Sequence, residues 1–396
     1  MKRIISLCLT VSLIFGTVCC YAFANYASKT EAEEDFKIEM PEFKPENEAF
    51  STYLIEASTG TVLYSDNQFA SAEPASVTKI MTLLLVAEAL DDGKIKLDDT
   101  VSISANAASK GGSQVFLKEG ERISVLDLLK STIIASANDA ATALAELVCG
   151  SEASFVKKMN MRARELGLKN TNFENPTGLD DTTKNHYTCA ADIAAMSREL
   201  IKHDIILKYS SVWQDSIRNG DFVLTNTNRL VRYYDGCNGL KTGSTDKAGF
   251  CISATAKRDG MQLIAVIMGA ETKDIRNNIA RELLDFGFAN FTLYRDFGGS
   301  LEKTPVIGGN KSEVNIYSEG FEVVLPKEYA SLVEKCFDLP DKIAAPMSKG
   351  DTVGKIVYRV NGKQIGFSSV LIDEEIPRIT YSDILGKMLK KIFICK

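Results

Sequence analysis

Hydrophobic positions change period along the chain, and the changes divide it. Residues 50–55 and 60–64 are short β-like runs on either side of Ser58-Thr59-Gly60, which predicts a β-hairpin with those three residues in the turn. From 77 to 202 the period lengthens. Apolar residues recur three and four apart over 77–90, 125–134, 140–147, 152–166 and 191–202, predicting five helices. Residues 250–257 and 262–268 are apolar-rich runs separated by Asp259-Gly260, a strong two-residue hairpin turn, and 274–286 returns to the helical period. Strand pair, helical cluster, strand pair and helix predict an α+β domain over 49–295. Its antiparallel sheet carries helices on both sides, and its two halves meet at a cleft.

From about 296 the pattern breaks into short β runs interrupted by Gly, Pro and Asn. Candidate strands lie at 314–317, 321–325, 355–360 and 363–370, the last two joined by Asn361-Gly362, a type I′ turn signal. A small all-β domain is expected over 296–378. The tail differs again. Ile384, Leu385, Met388, Leu389, Ile392 and Phe393 share one helical side, and Lys387, Lys390 and Lys391 take the other. A helix over 383–396 would be about 21 Å long, too short and too charged to span a bilayer. Residues 379–396 are expected to lie on a membrane surface as an amphipathic helix, with docking on the protein itself as the ordinary alternative.

Lys2-Arg3, an apolar run over 4–20 and Ala22-Phe23-Ala24 read as a signal peptide over 1–24, which predicts export and a mature chain beginning at Asn25, with a lipoprotein modified at Cys19 or Cys20 or an uncleaved anchor as the alternatives. Residues 25–48 hold eight acids against three lysines, with two prolines, and are expected as a flexible acidic leader. Charge points away from nucleic acid. The balance is −6, or −8 without Lys2 and Arg3, and no basic patch or aromatic platform relieves it. Of nine cysteines, Cys8, Cys19 and Cys20 leave with the signal. Cys149, Cys189, Cys237, Cys251, Cys336 and Cys395 show no metal-ligand spacing and read as buried free thiols; a Cys237–Cys251 pair stays open. With only His186 and His203 in the chain, a zinc hydrolase is disfavoured and no cofactor is expected.

The candidate chemistry begins at Ser76-Val77-Thr78-Lys79, which follows Pro74 and opens the apolar run from Ile80 to Leu90. Residues three apart on a helix are neighbours, so Lys79 can reach the Ser76 oxygen and make a nucleophile without histidine. Alone the pattern is weak, since S-x-x-K arises by chance about once or twice in a chain of this size. Ser154 to Lys157 and Ser300 to Lys303 also fit it and read as solvated surface. Ser76 has company. Ser136-Ala137-Asn138 follows sixty residues on and Lys241-Thr242-Gly243 a further 105 downstream. A second S-x-N at Ser104 lacks a supporting helix.

In these motifs the chain resembles the serine D-alanyl-D-alanine carboxypeptidases, the low-molecular-mass penicillin-binding proteins. The likeness extends over about 49–376 and includes Gly111-Gly112-Ser113, Asn138-Asp139-Ala140, Asn175-Pro176-Thr177-Gly178-Leu179, His186, Asp235-Gly236 and Ala248-Gly249-Phe250. Ala137 departs from the glycine of many relatives, a methyl expected to be tolerated. The resemblance implies a β-lactamase/transpeptidase-like catalytic domain with a β-rich C-terminal domain, and a bacterial protein on the outer face of the cytoplasmic membrane. It implies hydrolysis of the terminal D-Ala-D-Ala bond of peptidoglycan pentapeptides, with β-lactams as covalent inhibitors. Ser76 would be nucleophile, Lys79 base and Ser136 proton relay. Asn138, Lys241, Thr242, Gly243, Ser244 and Arg276 would bind substrate, with the Ser76 and Ser244 N–H groups as oxyanion hole. Two other readings compete. A class A-like β-lactamase needs a glutamate to activate water, and Glu165 misses the E-x-x-L-N spacing by one residue; a non-catalytic wall-binding scaffold would retain the fold without turnover.

Overall fold

Leu263, Ala265 and Ile267 project from one face of a strand and Ile264, Val266 and Met268 from the other, and all six are fully buried. A strand covered on both faces reads as a continuous apolar run rather than an alternating one. That strand sits at the centre of the sheet. The computed structural model describes residues 38–394 except 47 and 182. The signal expected at 1–24, residues 25–37 of the leader, Cys395 and the side chains of Lys387, Lys390, Lys391, Ile392 and Phe393 lie outside the described residues.

Two compact units form: residues 41–297 with 320–330, and residues 298–319 with the chain from 331 onward. The first is built on strands β1 (Ser51–Glu56), β2 (Val62–Asp66), β3 (Cys237–Thr245), β4 (Gly249–Arg258) and β5 (Met261–Ala270). Their order is β2-β1-β5-β4-β3, antiparallel throughout. The principal helices are α1 (Lys79–Asp91), α2 (Val125–Ile134), α3 (Asn138–Cys149), α4 (Glu152–Glu165), α5 (Ala190–Leu200) and α6 (Lys273–Asn290). Ile279, Leu283 and Leu284 of α6 cover one sheet face with Leu263, Ala265 and Ile267. The other face meets α1 to α5 through Ile264, Val266 and Met268. At roughly 1.5–3 kcal/mol for each large apolar side chain removed from water, these two layers dominate the stability of the unit.

The expected hairpin turns form as read: Asp259-Gly260 and Asn361-Gly362 each take two positive φ angles, +48° and +80° at both turns. The helix expected at 77–90 is not α-helical from its start. Ala75–Thr78 is a 3-10 turn and α1 begins at Lys79, buried continuously through Ala87. The leader is shorter than expected, because Phe43 stacks on Phe286 at 4.8 Å and meets Tyr64 edge-on at 5.2 Å. The strand expected at 321–325 forms as Phe321–Pro326 and pairs antiparallel with Phe291–Asp296. Apolar alternation reveals a strand but not which sheet receives it. Of the thiols expected to be buried, Cys189, Cys237 and Cys251 are, whereas Cys149 is half-buried and Cys336 exposed; all five are free.

In the second unit Gly299–Ser300, Ile316–Ser318, Lys363–Ile372, Thr352–Val360 and Val333–Asp338 form a five-stranded sheet in that order. A three-stranded sheet of Glu313–Val314, Thr304–Ile307 and Ile343–Ala344 accompanies it. Ile356, Tyr358, Val360, Val370 and Ile372 make its core. Tyr381–Ile394 is helical, with Leu385 and Met388 exposed. No described helix is long and apolar enough to cross a membrane.

Candidate active site

A 3-10 turn has three residues per revolution, so side chains at i and i+3 eclipse. Ser76 lies in that turn and Lys79 follows it, which puts Lys79 Nζ 3.0 Å from Ser76 Oγ. The turn is held under strain. Ala75 has φ +46°, and Gly178 (φ +81°) passes so close that a Cβ there would lie 1.7 Å from the Ala75 carbonyl oxygen.

Lys79 is fully buried. Its Nζ donates to Asn138 Oδ1 at 2.6 Å and to the Thr177 carbonyl at 2.7 Å. Burial holds this amine well below its ordinary range, the Lys241 charge adds to the effect, and Asp139 opposes it. Asn138 is anchored in turn: its Nδ2 donates to the Gly111 carbonyl at 2.7 Å and its N–H to the Ser113 carbonyl at 2.7 Å. The buried Asp139 carboxylate accepts from the N–H groups of Val115, Leu117 and Ala140, tying the start of α3 to the 113–117 loop. Between them Ser136 takes φ +61°, and its Oγ is buried with no hydrogen-bond partner among the described residues. Ala137 adopts φ −61° and ψ 124°, ordinary for an L-residue, so its methyl is accommodated.

Strand β3 closes the opposite side. At Gly243 a Cβ would lie 2.8 Å from Ser76 N and 2.9 Å from Val77 N, so only glycine allows the strand this near the Ser76 backbone. Lys241 is fully buried and donates to the Thr242 carbonyl at 2.9 Å. Burial, and then Arg276, push its ammonium down to about 7. Thr242 Oγ1 donates to Thr227 Oγ1 at 2.8 Å, and Asn228 Nδ2 to the Gly239 carbonyl at 2.8 Å, fastening β3 to the 226–228 loop. Arg276, on the first turn of α6, is buried; its Nε and Nη2 donate to Asn277 Oδ1.

Ser76, Ser136, Thr242, Gly243, Ser244 and Arg276 thus line one cleft of about 420 Å³, with Lys79, Asn138 and Lys241 buried behind it. Every site residue expected from the sequence converges here. No acid lines this cleft among the described residues. Glu165 instead ends α4 with its carboxylate on Arg162 at 3.1 Å, and Gly167 behind it takes φ +73° as a helix terminator. His186 is structural: its Nδ1 accepts from the Glu174 N–H at 3.1 Å, so Nε2 bears the proton and donates to Thr78 Oγ1 at 2.8 Å. The Thr177 carbonyl and the Asp139 clamp were not assigned roles from sequence. Backbone acceptors leave no residue-type signal, though Asn138-Asp139 and Asn175 to Leu179 are among the motifs that carry the family resemblance.

Residues 38–272 match the family model described as D-alanyl-D-alanine carboxypeptidase. The chain belongs to that family. Residues 288–378 match a second model, the C-terminal domain of penicillin-binding protein 5. The D-alanyl-D-alanine carboxypeptidase DacF of Bacillus subtilis is 41% identical over 98% of both chains, and DacC of Escherichia coli 34% identical over 92% of both. Among solved structures, penicillin-binding protein 5 of Haemophilus influenzae superposes with a TM-score of 0.75 at 32% identity, over 85% of this chain and 100% of that one. Penicillin-binding protein D2 of Listeria monocytogenes, solved in an ampicillin-bound form, covers 63% of this chain with a TM-score of 0.57 at 31% identity. This carboxypeptidase is therefore a serine-type hydrolase with the penicillin-binding fold.

Proposed function

We propose that the chain removes the terminal D-alanine of peptidoglycan pentapeptides by a two-step reaction at Ser76, and that β-lactams acylate the same oxygen. The observation that carries the assignment of roles is the set of partners around Lys79. A neutral amine has two N–H bonds and one lone pair. Asn138 Oδ1 and the Thr177 carbonyl take up the two N–H bonds, which leaves the lone pair for the Ser76 hydroxyl proton. Burial and the charge of Lys241 favour that neutral form. Ser76 Oγ attacks the carbonyl carbon, and the Ser76 and Ser244 N–H groups receive the oxyanion beside Gly243. Ser136, with its free hydroxyl, passes a proton to the departing amine as the C–N bond breaks. Lys241, Thr242 and Arg276 meet the substrate's terminal carboxylate. Water then adds to the ester and regenerates Ser76.

Export through the 1–24 signal and residence on the outer face of the cytoplasmic membrane complete the reading. The exposed apolar residues of the Tyr381–Ile394 helix support a peripheral anchor there. Diacetyl-Lys-D-Ala-D-Ala incubated with the purified chain should yield free D-alanine, and Ser76→Ala should abolish both that release and covalent penicillin labelling. Labelling that persists in Ser76→Ala would refute the nucleophile. Removing residues 381–396 should release the processed protein from membranes; unchanged sedimentation would refute the anchor.

A further inference from the structure

The cleft is larger than removal of one alanine requires and carries more positive charge than one carboxylate balances. Its volume of about 420 Å³ falls in the range of sites for drug-sized ligands. Arg229, Lys273 and Arg276 line it, and Lys241 is buried behind Thr242. Arg229 and Lys273 are exposed, with no ion pair among the described residues. Asp274, one residue before Ile275 on α6, lines a neighbouring cavity of about 410 Å³ together with Arg229, and offsets only one of these charges. Burial and then Arg276 lower the Lys241 amine; on Arg276 burial acts first, Cys251 and Asp274 oppose it, and the Arg229 charge adds to it.

The outer end is also a built ledge. Trp213, the only tryptophan of the chain, lines the cleft, and its indole N–H is buried with no partner among the described residues. Its backbone is fixed, because Asn226 N–H donates to the Trp213 carbonyl at 2.8 Å and Asn226 Nδ2 to the Ser210 and Val212 carbonyls. The Arg232 guanidinium lies over the Trp213 ring at 5.3 Å and over the Tyr233 ring at 5.5 Å. A cleft wall that combines the exposed Arg229 guanidinium with an indole ring stacked under Arg232 suits an anion with some bulk.

We propose that Arg229 and Trp213, the latter held under the Arg232 guanidinium, form an outer subsite for a second carboxylate carried by the leaving group. The protein then cleaves after D-alanine when the amine released is an anionic amino acid larger than D-alanine. The inference rests on the carboxypeptidase reading, in which Thr242 and Arg276 hold the carboxylate next to the scissile bond. Bond changes are those of that reaction: the Ser76 ester forms, the C–N bond breaks, the leaving amine takes the proton, and water hydrolyses the ester.

The test compares kcat/KM for diacetyl-Lys-D-Ala-D-Glu, its neutral isostere ending in D-Gln, and the D-Ala-D-Ala peptide. The D-Glu peptide should exceed the D-Gln peptide by about fivefold, the upper end of what a solvent-exposed charge pair supplies. Arg229→Gln should erase that preference and leave D-Ala-D-Ala hydrolysis within about twofold, with Arg232→Gln reducing the preference in part. Equal rates for D-Glu and D-Gln in the unaltered protein would overturn the proposal. So would a preference that survives in the R229Q/R232Q double variant. Loss of D-alanine release from the parent peptide, with penicillin still labelling Ser76, would refute the carboxypeptidase reading itself, and the parallel measurements keep the two failures apart.

Discussion

Residues 41–297 bury Lys79, Lys241, Arg276, Asp139 and Asn138 around one cleft, whereas the described part of the unit from 298 onward buries Thr304, Ser318 and Ser368 as its polar side chains. Both units have an apolar core built on antiparallel sheet. Only the first accepts the cost of placing amines and a guanidinium out of water, a cost that stability alone gives no reason to incur. Buried charge separates the unit that does chemistry from one that is folded for other reasons. The contrast can be broken from either side.

The largest effect should come from Lys79→Ala, which removes the proposed base and leaves Asn138 Oδ1 and the Thr177 carbonyl without their donor. Acylation of Ser76 by a chromogenic β-lactam should fall about 10²–10⁴-fold; a variant within tenfold of the parent would move the base elsewhere. Gly243→Ala comes next. A methyl 2.8 Å from Ser76 N forces β3 away from the nucleophile, and a shift of that kind should lower acylation about 10²-fold while circular dichroism stays unchanged. From the other unit, Ile356→Ala empties a site that is 2% exposed. It should cost that unit about 2–5 kcal/mol in denaturant unfolding, with the acylation rate within twofold. A matching loss of acylation would show that the β unit shapes the cleft.

The smallest effect is on pH dependence. Lys241 has its pKa depressed from 10.5 to about 7 in the folded protein, so between those values the unfolded chain binds more protons. Its contribution to stability therefore rises with pH across that window, and the charge penalty is complete below about 7. Lys241→Met should flatten the rise in melting temperature between pH 7 and 10.5 relative to the parent. Parallel curves would place the ammonium in a better-solvated site. His186, lowered to about 4 from 6.5 by burial against the pull of Glu174 and Asp180, acts at the acid end. Stability should fall as pH drops from 6.5 to 4, and fall less in His186→Gln.

Much of the catalytic unit was legible because its signals are local. Helix α2 appears over the same residues the apolar period predicts, since Val125, Leu128, Leu129 and Ile133 face one core and Ser124 caps the start through its bond to the Asp127 N–H. The two hairpin turns are equally local. Strand β3 was not predicted as an element from period alone, because Cys237-Asn238-Gly239-Leu240-Lys241-Thr242-Gly243 has neither alternation nor β-branched density. The hairpin of Gln214–Ile217 with Phe222–Thr225 escaped for a similar reason: its turn contains Arg218 and Asn219 at positive φ, which no Asn-Gly or Asp-Gly pair announces.

By itself the sequence determined which residues meet at the cleft. Ser76, Lys79, Ser136, Asn138 and Lys241 are named by type, spacing and order, and spacing three apart near a helix start is enough to predict that Ser76 and Lys79 meet. Tertiary structure decided their state. Two hydrogen bonds that Lys79 donates go to the Asn138 side chain and the Thr177 carbonyl, 59 and 98 residues away in sequence. That Ser136 keeps a free hydroxyl depends on a positive φ that serine does not favour alone. Covalent order selects the groups. Protonation, pairing and strain arise from what surrounds each group in space, and no local stretch of chain contains its own surroundings.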